Sequence, residues 1–174
     1  MNTKDLEALL RKISLLVMDV DGTLTDAAMF YSAKGEELKR FSTRDGMGIN
    51  LLHKGGLETA IITSENSPIV RARAKKLNIR HVVLGCHNKT DALKRIIDEM
   101  GISADQAAYI GDDVNDYHVM KICGCCACPA DATETIRSVA HYICSAKGGH
   151  GAVREFAERI LLSQNKAITL TENW

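Results

Sequence analysis

Apolar runs and amphipathic stretches alternate along nearly the whole chain. Runs of strand length fall at about 14–20, 58–63, 81–84, 107–111, 124–128 and 141–143, rich in Val, Ile, Leu and Ala, as strands buried on both faces require. Between them, apolar positions three and four residues apart predict helices at about 3–12, 45–54, 67–77, 89–100, 114–121, 132–139 and 150–163. Strand followed by helix, repeated, predicts an α/β protein with a parallel sheet covered by helices in a three-layer α/β/α arrangement. Pro68 suits the first turn of a helix after Ser67. One stretch breaks the alternation: residues 28–31 and 37–41 flank Ser32-Ala33-Lys34-Gly35, a hairpin signal. No linker or repeat is visible, so one domain is expected over about 1–164, with a hairpin flap at about 26–43 and a tail at 165–174 that lacks helical pattern.

Composition narrows the partners. The 174 residues carry 22 basic and 22 acidic side chains, a formal net charge of zero, and the basic residues form no long run. That points away from nucleic acid or an anionic membrane and towards a small molecule. No apolar stretch approaches the ~20 residues of a membrane helix, and the polar start Met1-Asn2-Thr3-Lys4-Asp5 is unlike a secretory signal. A cytoplasmic location is expected. Of six cysteines, four crowd into Cys123-Gly124-Cys125-Cys126-Ala127-Cys128. On an extended strand, alternation would split these thiols between two faces, which suits small buried apolar side chains better than tetrahedral zinc.

The chemistry gathers at strand ends. Leu15-Leu16-Val17-Met18-Asp19-Val20-Asp21-Gly22-Thr23 delivers two carboxylates, two residues apart, into a glycine turn. Residues i and i+2 point to one side of a strand, so one carboxylate can attack a phosphorus while the other handles the proton. Thr23 adds a hydroxyl and an amide for phosphate oxygens. The plain alternative is a βα loop with helix-capping acids. Three further pieces follow in order: Thr59-Ala60-Ile61-Ile62-Thr63-Ser64 ends in hydroxyls, Lys89 opens a helix after His81-Val82-Val83-Leu84, and Gly111-Asp112-Asp113-Val114-Asn115-Asp116 is a second acidic cluster. In an open parallel sheet, ligands bind at the carboxyl ends of the strands, where all four sets would meet.

Together these residues resemble the four motifs of the haloacid dehalogenase superfamily of phosphatases, and so imply its Rossmann-like core. A phosphomonoester dianion repels a carboxylate, so such a site needs a divalent cation and fixed positive groups. The resemblance implies Asp19 as nucleophile forming an aspartyl-phosphate, and Asp21 as general acid and then base. It implies Mg²⁺ held by the Asp19 carboxylate, the Asp21 backbone carbonyl and Asp112. Thr63 would donate to a phosphoryl oxygen and Lys89 would neutralise charge; alone, Lys89 reads as a surface lysine. Asp113 and Asp116 are expected either to orient ligands or to act as helix N-terminal charges. Larger relatives close their sites with cap domains, but neither inter-motif gap here has room for one. Two rivals of another class are a receiver-type domain that accepts a phosphoryl group without turnover and a regulatory subunit that has lost catalysis.

The resemblance narrows with Asp26, Gly35-Glu36-Glu37-Leu38-Lys39, Phe41, Arg44-Asp45-Gly46 and Gly148-Gly149-His150-Gly151-Ala152-Val153-Arg154-Glu155. These resemble the cap-less branch of 3-deoxy-octulosonate 8-phosphate phosphatases and their nine-carbon, sialic-acid-like nonulosonate 9-phosphate relatives. The branch implies a homotetramer with hairpins at its centre and a glycine-rich C-terminal segment reaching a neighbouring site. In that reading Arg44, Asp45, Ser64, Glu65, Arg73, Lys76, Gly148, Gly149 and Arg154 contact substrate. Met29, Phe30, Tyr31 and Phe41 would be a subunit contact or would pack on their own domain. Eight-carbon enzymes usually carry Thr-Gly-Arg where this chain has Thr63-Ser64-Glu65, whereas Arg44-Asp45-Gly46 is typical of them. An acid cannot replace an arginine that binds a carboxylate, so Glu65 would accept from sugar hydroxyls while Arg73 or Lys76 meets the substrate carboxylate. A carboxylate at Glu65 resembles the nine-carbon branch, as do Arg73 and Lys76 on the following helix, and on that resemblance a nonulosonate 9-phosphate is the preferred substrate and the octulosonate 8-phosphate the alternative. Arg73 and Lys76 read equally well as the solvated face of a helix, and the late glycines as a flexible helix entry.

Overall fold

The structure, a computed structural model, describes residues 3–170. Its main sheet has six parallel strands: β1 (Leu15–Met18), β4 (Glu58–Ile62), β5 (His81–Val83), β6 (Ala107–Ile110), β7 (Cys125–Cys128) and β8 (Tyr142–Ile143), in the order β5-β4-β1-β6-β7-β8. A separate antiparallel hairpin pairs β2 (Phe30–Ser32) with β3 (Gly35–Leu38). Seven helices accompany the strands: α1 (Thr3–Leu10), α2 (Thr43–Lys54), α3 (Pro68–Lys76), α4 (Lys89–Met100), α5 (Tyr117–Met120), α6 (Glu134–Val139) and α7 (Ala152–Ser163). The α/β expectation holds, and each expected strand and helix is present within a few residues. The helix expected at 114–121 is a 3-10 turn (Val114–Asp116) followed by the single turn α5, because Asp113 caps the chain at Val114 while Asp116 turns inward.

Alternation along the strands builds two cores. Leu16 and Met18 face one way, joining Ile49, Leu52, Phe156 and Ile160 under α2 and α7; Leu15 and Val17 face the other, joining Leu93, Ile96 and Met120 under α4 and α5. Central β1 has no exposed side chain, as a strand flanked by two parallel neighbours and covered on both faces must. The cysteines obey the same rule: Cys125 lies in the first core, Cys126 and Cys128 in the second, and all six are buried free thiols. Beyond α7, Ile168 and Leu170 rest against the first core, so the expected tail is partly docked; its last residues, 171–174, lie outside the described ones. Among the described residues no helix is long and apolar enough to cross a membrane.

The chain order makes β1 the switch point. The connection after β4 builds one side of the sheet and the connection after β6 builds the other, so the loops leaving β1, β4 and β6 diverge over one edge and leave a crevice.

Candidate active site

That crevice collects what the strand ends deliver. Asp19, Asp21, Ala27, Thr63, Ser64, Glu65, Asp112, Asp113, Val114 and Asn115 line a cavity of about 340 Å³. Asp19 follows β1 directly, its amide donating to the Ile110 carbonyl at 3.0 Å, so it continues the sheet into the site. Lys89, the first residue of α4, lies beneath: its buried Nζ is 2.8 Å from Asp19 Oδ1 and 2.6 Å from Asp116 Oδ1. Far from being a solvated lysine, it is the cation on which the acidic groups converge.

Asp116 is fully buried and fully engaged. Beside Lys89, its Oδ1 accepts from Tyr109 Oη at 2.7 Å and its Oδ2 from the Asp112 amide at 3.1 Å. It therefore orients Lys89 and the loop carrying Asp112 rather than acting as a helix-end charge. Asp113 is exposed on the rim, where Oδ1 accepts from the Val114 amide at 2.7 Å. Asp112 reaches back to β1's turn, with Oδ1 accepting from Thr23 Oγ1 at 3.2 Å. Gly22 is required there: at φ +88°, an added Cβ would lie 1.9 Å from Asp112 Oδ2. Thr23 is thus not free for phosphate; it is fully buried and its hydroxyl holds Asp112. Thr63 is buried at the end of β4, and its Oγ1 accepts from the Glu65 amide at 3.3 Å, bending the chain so that Ser64 and Glu65 reach the rim.

The electrostatics ask for a cation. Asp19, Asp112 and Asp116 place carboxylate oxygens within 4.8 Å of one another around a single lysine. Burial and the Asp116 charge push Asp112 up to about 7, against the hydroxyl of Thr23. Burial, then the Asp116 charge, likewise raises Asp19 well above the ordinary carboxylate range despite Lys89. Burial alone would lower Lys89, but Asp19 and Asp116 outweigh it and hold it above the usual lysine value. Negative charge exceeds what one ammonium offsets, and a hard divalent ion between Asp19 and Asp112 would relieve it. The residues fit such an ion.

Several residues expected to contact substrate do not line this cavity within the subunit. Asp45 is buried, and its carboxylate accepts from the amides of Gly151 at 3.2 Å and Arg154 at 3.0 Å, capping α7. Arg73 donates to the Ser42 carbonyl at 3.1 Å and stacks its guanidinium 5.6 Å from the centre of the Phe41 ring; it braces α3 against the start of α2. Lys76 is exposed on α3 and does not line the cavity. The Arg154 guanidinium pairs with Glu158 along α7. Gly148 and Gly149 pack on their own chain: Cβ atoms there would lie 1.8 Å from the Gly22 carbonyl oxygen and 2.6 Å from the Thr25 carbonyl carbon. The Gly148 amide donates to Asp131 at 3.0 Å and the Gly149 amide to the Thr23 carbonyl at 2.9 Å, so Gly149 supports the β1 turn. Arg44 is exposed in a shallow cavity with Arg40, Phe41, Ser42, Thr43, Gly149 and His150, apart from the acidic one. Sequence reasoning named Lys39 only within the run that carries the resemblance and gave it no role; its Nζ sits 2.5 Å from Asp21 Oδ1 and 2.6 Å from Glu36 Oε1. Sequence reasoning also gave no role to Asn115, which donates to Ser64 Oγ at 3.4 Å across the cavity. The pairing of Lys39 with Asp21 had no local signal, since the two lie 18 residues apart.

A model of haloacid dehalogenase-like hydrolases matches residues 60–156, and relatives match over almost the whole chain. The chain belongs to this family. The 3-deoxy-D-manno-octulosonate 8-phosphate phosphatase KdsC of Haemophilus influenzae is 37% identical over 158 residues, 91% of this chain and 88% of that protein. KdsC of Escherichia coli K12 is 38% identical over 93% of this chain and 86% of its own length. Among solved structures, the corresponding phosphatase of Moraxella catarrhalis, in complex with magnesium, phosphate and KDO, superposes with a TM-score of 0.91 at 38% identity, covering 94% of each chain. As a haloacid dehalogenase-like hydrolase, the protein is an enzyme rather than a receiver or regulatory domain. The relatives carry the eight-carbon name, so they favour the alternative over the nine-carbon substrate preferred from Glu65.

Proposed function

We propose that this protein is a Mg²⁺-dependent phosphatase acting on the phosphate ester of a 2-keto-3-deoxy sugar acid, with 3-deoxy-D-manno-octulosonate 8-phosphate as the substrate its relatives support. The observation that carries the chemistry is the convergence of Asp19, Asp21, Lys89 and Asp112 on one cavity edge, two carboxylates at i and i+2 above a buried lysine.

In this reading the Asp19 carboxylate, with Oδ1 held by Lys89, attacks the phosphorus and forms an aspartyl-phosphate. Asp21 protonates the departing sugar oxygen, then takes a proton from the water that hydrolyses the intermediate, reversing its role within one cycle. Thr63 and Ser64 offer hydroxyls at the cavity wall for phosphoryl oxygens, and Lys89 offsets charge on Asp19. Asp19, the Asp21 carbonyl and Asp112 would hold Mg²⁺, which when bound neutralises phosphate charge and so lets two anions meet. Asp116 keeps Lys89 and the Asp112 loop in place. A homotetramer fits the hairpin, where Met29, Phe30, Tyr31 and Leu38 are exposed while Phe41 packs on its own core.

Glu65 favours a second reading. It lines the cavity where the eight-carbon enzymes usually have an arginine, and a carboxylate there suits hydroxyl or amide donors of a nonulosonate 9-phosphate. Initial phosphate-release rates with Mg²⁺ on octulosonate 8-phosphate and on deaminated and N-acetylated nonulosonate 9-phosphates, with Asp19→Asn as the blank, separate the two. A higher kcat/KM on eight carbons supports the first substrate, and a higher value on nine supports the second. No metal-dependent release from any of them would overturn the phosphatase reading. Asp21→Asn should cripple turnover, and near-parent rates would remove it from the acid/base role.

A further inference from the structure

Lys39 follows β3 and runs beneath the hairpin, its side chain without exposed surface. It ends 2.5 Å from Asp21 Oδ1 and 2.6 Å from Glu36 Oε1, and Glu36 Oε2 accepts from Ser67 Oγ at 2.6 Å. A chain of four polar side chains therefore runs from the Asp21 carboxylate, under the flap, to the residue that opens α3. The flap needs such a tie. A two-stranded hairpin is marginal by itself, and here Phe30, Tyr31 and Leu38 face outward rather than packing on the domain. Fixing and desolvating a lysine is costly, and two carboxylates are recruited to offset that cost. The two Asp21 oxygens are left unequal: Oδ1 is held by Lys39, whereas Oδ2 is buried with no hydrogen-bond partner.

We propose that Lys39 is a positioning residue for Asp21. By holding Oδ1 it fixes the rotation of the carboxylate that exchanges a proton with the leaving sugar oxygen and with the attacking water. The same contact fastens the flap beside the cavity, coupling the hairpin to the acid/base group. This inference rests on the phosphatase reading, with Asp21 as acid and base.

Lys39→Met keeps the length and removes the ammonium. It is compared with the parent on two substrates with Mg²⁺: an alkyl sugar-acid phosphate, whose leaving oxygen needs a proton, and p-nitrophenyl phosphate, whose leaving group departs without one. On the alkyl ester, kcat should fall about 10- to 100-fold, a fraction of what a general acid supplies, with KM within about twofold of the parent. On p-nitrophenyl phosphate the variant should show a rapid burst of about one p-nitrophenolate per subunit before slow turnover, because only hydrolysis of the intermediate then needs Asp21. Equal loss in the first turnover of both esters, or a raised KM with parental kcat, would overturn the proposal. If the methionine variant does not fold, Lys39→Gln, which keeps a donor without the charge, is read by the same comparison. A parent that releases no phosphate from either ester sinks the phosphatase reading, whereas an active parent matched by the Lys39 variants sinks only the role of Lys39.

Discussion

Removing the Asp45 carboxylate should cost stability and leave substrate binding intact. Gly151 precedes α7 without any side chain to cap it, so the helix borrows its cap from α2: Asp45 accepts from Gly151 N at 3.2 Å and Arg154 N at 3.0 Å. Asp45→Ala deletes the cap and so strands two amides with little access to water, at about 1–3 kcal/mol each. Against this, burial raises the Asp45 pKa, so deleting the carboxylate also removes a desolvation cost. A net loss of about 2–4 kcal/mol follows, or a fall in Tm of roughly 5–15 °C for a chain of this size. Asp45→Asn, which keeps one acceptor oxygen, should lose roughly half as much. Thermal unfolding beside steady-state kinetics, measured well below the lowered Tm, separates the roles. An unchanged Tm with KM raised about tenfold would refute the capping argument and return Asp45 to the substrate site that the sequence pattern suggested.

Lys89→Met should leave Asp19 and Asp116 buried without their cation, destabilising the fold by about 3–5 kcal/mol and lowering turnover by at least about 100-fold; parental phosphate release would show the ammonium to be dispensable. Gly22→Ala would drive a Cβ into Asp112, so calorimetry should find Mg²⁺ affinity reduced along with turnover, and an unchanged affinity would count against Asp112 as a ligand. The pKa of about 7 at Asp112 also fixes the sign of a pH effect. Because the folded value lies above the ordinary one, the penalty is absent below about pH 4, grows as pH rises and is complete above about pH 7, reaching at most ~4 kcal/mol. The metal-free protein should therefore lose Tm across that window, and Mg²⁺ should raise Tm more at about pH 8 than at about pH 5, since the ionised carboxylate is the ligand. A Mg²⁺ shift independent of pH would exclude Asp112.

What the sequence disclosed was the geometry set by short-range periodicity. A period of two put Asp19 and Asp21 at the end of a buried strand, and the strand-helix rhythm put Thr63, Lys89 and Asp112 at the same edge. Hidden were the roles that depend on a partner far along the chain. Asp45 meets Arg154 across 109 residues, and Arg73 meets Ser42 across 31. A basic residue on an amphipathic helix reads identically whether it faces water, a substrate carboxylate or a backbone carbonyl. Arg73 lies over Phe41, with its guanidinium also close to Gly46: a Cβ there would come 2.6 Å from Arg73 Nη2. The late glycines were ambiguous for the same reason, since glycine marks close approach without saying to what.

These distant contacts explain how an uncapped site holds its geometry. The β1 turn bearing Asp21 is supported from two sides. Below it, Asp45 fixes the start of α7, the preceding Gly148 and Gly149 abut the turn, and the Gly149 amide donates to the Thr23 carbonyl. From the flap, Lys39 grips Asp21 directly. Both supports commit polar atoms to the scaffold: the Asp45 carboxylate to the amides of Gly151 and Arg154, the Gly148 amide to Asp131, the Gly149 amide to the turn, and the Lys39 ammonium to Asp21 and Glu36. Selection among sugar acids must then fall to groups that line the cavity and are not consumed by the scaffold: Ser64, Glu65 and Asn115 on the rim, together with whatever the exposed face of the hairpin meets in an assembly. Residues that would confer a new substrate preference are therefore few and lie on the loops after β4 and β6, while changes at Asp45, Arg73, Gly148 or Gly149 should register as stability instead.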